Sequence, residues 1–440
     1  TFKSTDANEE LIHTENEEYT VFNPSSEIKI FSLNKEEGKM EIKPIQHAWR
    51  LKGGNTIKVK LRNGFEITTT PEHKYLVYRN GFVYVEAKDI KLDDRIVSGR
   101  KLKIDSQMNV KREIIKRLSE KNFYVNLDNE YSKLLNKKIL DYGIKKINAS
   151  IKTKSFYHGI WQNRYNLADL LNVAILFDIS IEELYDKIDS IYYRTGKQRG
   201  QNASPMKLPK MNNLKDLFYL AGLFIGDGSM RKFIVGKEQL GNKMVGMCGE
   251  FGIKTRNVVR EDRTPEIHTD NLTFVQILNS LFDYPLKQKS HNVKISEFVW
   301  KSSNELVSQL LKGYFDTDGC VEKSRRAVTI SSVSDKMIED LHLLLLRFGC
   351  VSIKEKDNTL SVSGISAINF QKEIGFELNE KRAKLHDLVT KVSGSIVCDT
   401  IRVGNQVMMI NKKIKDYDSH ELAYIQVSKI ESSFEDVVYD

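Results

Sequence analysis

Two hydrophobic periods divide the chain. From Glu27 apolar and polar positions alternate, so Glu27–Leu33, Met40–Ile45, Thr56–Leu61, Phe65–Thr70, Lys74–Tyr78 and Phe82–Glu86 each predict a short β-strand. Gly53-Gly54-Asn55 and two copies of Arg-Asn-Gly-Phe, at 62–65 and 79–82, supply turns between them. Residues 1–22 are polar and acidic and read as a surface loop or irregular edge. Between 104 and 206 the period is helical, predicting helical stretches over Val110–Ser119, Glu130–Lys146 and Leu167–Ile188, with Asn148–Ser150, Ser155–Trp161, Leu167–Phe177 and Ile181–Ile188 reading as three or four short helices. From Ser393 alternation returns, in Ile396–Val403, Gln406–Met409, Ala423–Ile430 and Val437–Tyr439. β material at both ends therefore brackets a long insertion.

Inside the insertion one unit is written twice. Leu220–Gly228 reads LAGLFIGDG, and Leu311–Gly319, 91 residues later, reads LKGYFDTDG. Each is apolar enough for a buried helix, and each stops at Asp-Gly. Gly222 and Gly226 lie four apart on one helical face, and Gly313 and Thr317 repeat the spacing. Small residues there let two backbones approach closely. Phe251-Gly252 and Phe348-Gly349 recur downstream of the two motifs, which predicts a pseudo-two-fold domain. Helices ending together would set Asp227 beside Asp318, where two carboxylates repel unless a cation lies between them. Oxygen ligands of this kind predict a divalent ion, Mg²⁺ by default.

These paired motifs resemble the two-motif LAGLIDADG homing endonucleases. Two further stretches resemble the splicing blocks of inteins, of archaeal type. Within GFEITTTPEHKYLV, Thr70 and His73 match a Thr-x-x-His block, and in AYIQVSKIESSFEDVVYD, Asp440 matches the acid near the C-terminal splice junction. The resemblance implies that His73 protonates the departing amide nitrogen and that Thr70 polarises the scissile carbonyl. Asn292–Ser302 (NVKISEFVWKS) resembles the lysine block between the motifs, with Ser296 where that block has proline, and it makes Lys294 a candidate active-site cation. Both chemical ends of an intein, an N-terminal Cys or Ser and a C-terminal His-Asn, are missing from this sequence. Thr1 is therefore assigned no role, and the chain is expected to be the interior of a longer polypeptide with host segments (exteins) on either side.

Charge adds a partner. The net charge is +9, yet residues 1–40 carry 4 basic and 9 acidic side chains while residues 101–200 carry 19 and 12. A basic excess confined to one block predicts a polyanion partner. Lys145, Lys146, Lys152, Lys154 and Arg164, with Tyr157 and Trp161 among them, are the candidate DNA contacts, in a helix-turn-helix style arrangement. Deleting 104–206 is expected to weaken DNA binding without unfolding the rest. The four cysteines form no close pair, no apolar run approaches a membrane span, and nothing reads as a signal peptide, so a cytoplasmic monomer without a membrane partner is expected.

The expected fold is α+β: a split all-β splicing (Hint) module over 1–103 and 391–440, a helical DNA-recognition region over 104–206, and an αββαββα endonuclease over 207–390. The expected function is a metal-dependent double-strand break in DNA at a specific site. The alternative is a splicing element whose nuclease is inactive and only binds DNA.

Overall fold

The computed structural model describes residues 7–13, 18–24, 29–34, 39–45, 47–79, 81–102, 104, 106, 108–151, 156–196, 202–393, 400–403, 406–409 and 422–439. The architecture is α+β. Its β module is an eight-stranded sheet in the order Ala7–His13, Glu18–Pro24, Ala48–Leu61, Leu422–Tyr439, Arg95–Gly99, Lys74–Tyr78, Phe82–Glu86, with Glu66–Thr69 pairing off the path on Ala48–Leu61. The C-terminal strand thus lies in the middle, antiparallel to strands some 370 residues earlier, with Val438 opposite Leu51 and Tyr424 opposite Val97. Val59, Leu61, Val77, Ile96, Ile425 and Val427 close a core of their own beneath it.

Two local expectations fail here. Residues 1–22 contain strands rather than only loop, because Glu18–Pro24 pairs with Ala48–Arg50 and backbone pairing needs no apolar alternation. Gly53-Gly54-Asn55 is not a turn. The strand runs straight through it, and a Cβ at Gly53 would stand 1.7 Å from the Glu435 carbonyl oxygen, so glycine serves close strand approach.

The 108–208 region is helical but not only helical. Val110–Ser119 is a helix as expected, whereas the predicted Glu130–Lys146 breaks at Gly143 (φ 99°) into Asn129–Tyr142 and Ile144–Ser150. Leu167–Leu176 and Ile181–Lys187 are two separate short helices, as the pattern over 167–188 predicts. Phe123–Leu127 and Ile188–Tyr193 pair as strands that periodicity did not reveal. Ile114, Phe123, Val125, Tyr185 and Ile191 belong to the same apolar core as Phe218, Leu278 and Phe298. The expectation that this region can be removed without unfolding the rest is overturned by that shared core.

The duplicated part repeats one topology. Each half opens with a motif helix, Leu214–Asp227 or Asn304–Asp318. Each continues into a four-stranded sheet, ordered Gly228–Ser229, Lys232–Ile234, Arg263–His268, Arg256–Arg260 in the first half and Gly319–Glu322, Ala327–Ser331, Thr359–Ser363, Ile353–Lys354 in the second. Helices Glu238–Glu250 and Asp335–Leu344 join the second strand to the third in sequence, and Leu272–Phe282 and Ile365–Glu373 close the units. The second half docks on the β module. Phe65 stacks on His342 with ring centroids 3.9 Å apart, and the Lys354 N–H donates to the Asn63 carbonyl at 2.8 Å. Burial pushes the His342 imidazole down to about 4, so it stacks as a neutral ring. Among the described residues no helix is long and apolar enough to cross a membrane.

Candidate active site

The two motif helices bring their small residues together as predicted. A Cβ on Gly222 would meet the Leu310 carbonyl oxygen at 2.1 Å, and one on Gly313 would meet that of Tyr219 at 2.3 Å. At Gly226 it would fall 1.9 Å from Thr317 Oγ1 and 3.0 Å from Asp318 Oδ1. Only hydrogen fits at these points, so the helices touch backbone to backbone and terminate side by side. Gly228 and Gly319 are extended, at φ −79° and −76°, and turn each helix directly into a strand. They are glycines for space rather than dihedral, since a Cβ would press within 2.5 Å of the Phe224 and Phe315 carbonyl oxygens.

Asp227 and Asp318 stand together at this junction. Burial raises the carboxyl of Asp227 above the usual range, with Lys289 and Lys381 acting against the shift. Asp318 is pushed up to about 6, by burial first and then by the charge of Asp227, again offset by the two lysines. Its neighbour Tyr314 is buried, and burial first and then the charge of Asp318 push its hydroxyl upward. Both motif helices border a groove of about 710 Å³ that also touches Lys289, Ser332, Lys356 and Asn358. The third motif acid, Asp316, points elsewhere: it accepts from the Tyr219 hydroxyl at 2.8 Å and from the Glu377 and Leu378 amides, which makes it a packing residue.

Because the folded Asp318 holds its proton more tightly than an unfolded chain would, its contribution to stability is fully present below the ordinary Asp value of 3.8 and is lost as pH rises to about 6. In chelator at pH 7.5, Asp318→Asn is therefore expected to stabilise the fold by no more than about 1 kcal/mol, because the residue is exposed and solvent screens its charge, with the gain shrinking toward pH 4. Thermal melts of both proteins across that pH range check the sign.

Lysines not singled out from sequence complete the cluster. Lys289 Nζ donates to the Gly226 carbonyl, and Lys381 Nζ donates to those of Asp316 (2.6 Å) and Phe315 (3.1 Å). The signal was the duplication itself, since Lys289 follows Asp227 by 62 residues and Lys381 follows Asp318 by 63. Lys294 instead forms an ion pair with Asp283 at 3.3 Å.

Beyond the acids, the two sheets present different faces. In the first half Phe233 and Ile267 face the core, and Lys232, His268 and Arg256 form one cross-strand row on the other side. In the second half the strands that correspond carry Thr329, Ser361 and Ile353, and Cys320 extends that row on the first strand. Among the candidate DNA contacts, Lys145 and Lys146 are exposed on Ile144–Ser150, Arg164 is exposed before Tyr165, and Lys152 and Lys154 lie outside the described residues.

In the β module, the His73 amide donates to the Thr70 carbonyl at 3.2 Å, closing a turn that leaves the imidazole exposed beside Tyr75. Thr69 lies opposite Ile57 and through it opposite Ser432. Seven residues of strand, roughly 23 Å, separate Ser432 from Tyr439. Asp440 itself lies outside the described residues.

A family model described as the intein splicing domain matches residues 6–440. Elongation factor 2 of Methanopyrus kandleri is 33% identical over 84% of this chain and 29% of its own length. The probable translation initiation factor IF-2 of Methanocaldococcus jannaschii is 30% identical over 83% and 30%. The chain thus spans under a third of the length of these two curated relatives. Among solved structures, I-DmoI in complex with DNA and Ca aligns at a TM-score of 0.32 and 16% identity, covering 40% of this chain and 99% of that one.

Proposed function

The chain belongs to the intein splicing-domain family, and on that premise we propose that its duplicated insertion is a homing endonuclease that cuts double-stranded DNA by metal-assisted phosphodiester hydrolysis. The observation that carries the reading is the placement of Asp227 and Asp318 beneath two helices packed through Gly222, Gly226 and Gly313. A packing role alone gives no reason to set two repelling carboxylates side by side where the helices end at a groove.

The residues fit a hard divalent ion such as Mg²⁺. The donors are two carboxylates and the backbone oxygens at 226 and 317. Among the described residues no cluster of three or more His, Cys, Asp or Glu forms, so water and phosphate would complete the coordination. When bound, such an ion acidifies water and neutralises charge on the leaving oxygen. The chain supplies the rest. Lys289 and Lys381, held at the ends of the two motif helices, would engage non-bridging phosphate oxygens. One acid from each half assigns one cut to each strand. Lys232, His268 and Arg256 would read base edges in one half-site, and the small Cys320, Thr329 and Ser361 would admit a different pattern in the other. The target therefore need not be palindromic, and Lys145, Lys146, Lys152, Lys154 and Arg164 would hold its flank by phosphate contacts. I-DmoI has been seen with DNA and with Ca or Mn, which accords with this partner and this class of ion.

In the surrounding scaffold, His73 and Thr70 act on the N-terminal splice junction, and Asp440 acts near the C-terminal one. A supercoiled plasmid carrying the uninterrupted host allele tests the nuclease. Linearisation with Mg²⁺ and an intact plasmid with chelator are expected, whereas an intact plasmid in both removes the nuclease reading and leaves a DNA-binding splicing element.

A further inference from the structure

Two ammonium groups already occupy the oxygens that a divalent ion would use. Lys289 Nζ lies on the Gly226 carbonyl and 3.4 Å from that of Phe224. Lys381 Nζ lies 2.6 Å from the Asp316 carbonyl oxygen, 3.1 Å from that of Phe315 and 3.2 Å from that of Thr317. Each lysine thus fills the last-turn carbonyls of one motif helix, including the carbonyl immediately before the acid. The oxygens of Gly226, Asp316 and Thr317 lie beyond the last intrahelical bonds, which run from the Gly228 and Gly319 amides to Phe224 and Phe315, and carry the negative end of the helix dipole. Both ammonium groups are half-buried, and the charges of Asp227 and Asp318 act on both. Two lysines from separate halves thus face Asp227 and Asp318, with Asp316 adding its charge at Lys381.

We propose that Lys289 and Lys381 are resident counter-cations that hold the metal positions closed in the free protein, and that DNA phosphates open them by drawing the ammonium groups away. This rests on the nuclease reading. An ammonium and a hard divalent ion compete for the same oxygens and repel each other, so the free protein binds metal weakly. An arriving phosphate offers each lysine a better partner, a charge-assisted contact to a full anion in place of backbone dipoles. The carbonyl oxygens and acids it leaves are then a net anionic site. Metal loading, and with it hydrolytic competence, becomes conditional on bound DNA. An ordinary helix-capping lysine predicts something else: its loss would lower stability and leave metal affinity unchanged.

The test is Ca²⁺ binding by calorimetry, on the full chain without DNA, for wild type, K289M, K381M and the double variant. Methionine keeps the length of the stem and removes the charge. The double variant is expected to bind Ca²⁺ at least tenfold more tightly than wild type, and wild type is expected to gain a similar factor when duplex from the uninterrupted host allele is added. The single variants, each opening one position, keep the test available if the double variant does not fold. Unchanged or weaker affinity in the DNA-free variants, with Ca²⁺ still bound by wild type on duplex, overturns the counter-cation role alone. No Ca²⁺ binding by any protein, with or without duplex, removes the metal reading of Asp227 and Asp318 and this inference together.

Discussion

Asp227→Asn and Asp318→Asn are each expected to cut site-specific cleavage by ~10³-fold or more, because loss of a metal ligand forfeits several kcal/mol of charge stabilisation and each ~1.4 kcal/mol is a decade in rate. Duplex affinity is expected to change by no more than about threefold, because binding draws mainly on phosphate contacts away from the acids. The two substitutions need not be equal. Asp318 is the acid pushed up to about 6 and it borders the groove, so its replacement also changes the groove's charge. Plasmid cleavage beside gel-shift binding separates the two effects. A variant that still makes double-strand breaks at the wild-type rate would show that the acids are not ligands of the reacting centre.

The second large effect concerns the helix pair. Gly222→Ala and Gly313→Ala each push a methyl to within 2.1 or 2.3 Å of a facing carbonyl oxygen. Backbone cannot rotate away as a side chain can, so the helices must separate. A cost of about 3 kcal/mol or more follows from overpacking, a fall in Tm on the order of 10 °C. Because the same separation parts Asp227 from Asp318, cleavage should fall at temperatures where the variants remain folded. An unchanged melt for Gly222→Ala would mean that the helices do not meet there.

Much of the site was legible because close packing writes itself into residue choice. Asp-Gly at the same place in two apolar runs, with small residues four apart, has few physical reasons other than a backbone-to-backbone crossing. The neighbouring readings fared unevenly where one stretch could satisfy two rules. Gly53-Gly54-Asn55 has turn chemistry, yet glycine also marks a strand pressed against another, and the partner at Glu435 is remote in sequence. Glu130–Lys146 keeps helical periodicity across Gly143, whose positive φ nonetheless breaks it.

The sequence by itself determined the duplication, the split β module and the two acids, because each rests on local pattern: period, glycine spacing and repeated Asp-Gly. Only the tertiary structure decided which lysines attend those acids and that the basic 108–208 region shares the core of the duplicated part. Lys289, Lys294 and Lys381 look alike along the chain. What separates them is where helix ends leave carbonyl oxygens without donors, a property of chain segments brought together from far apart.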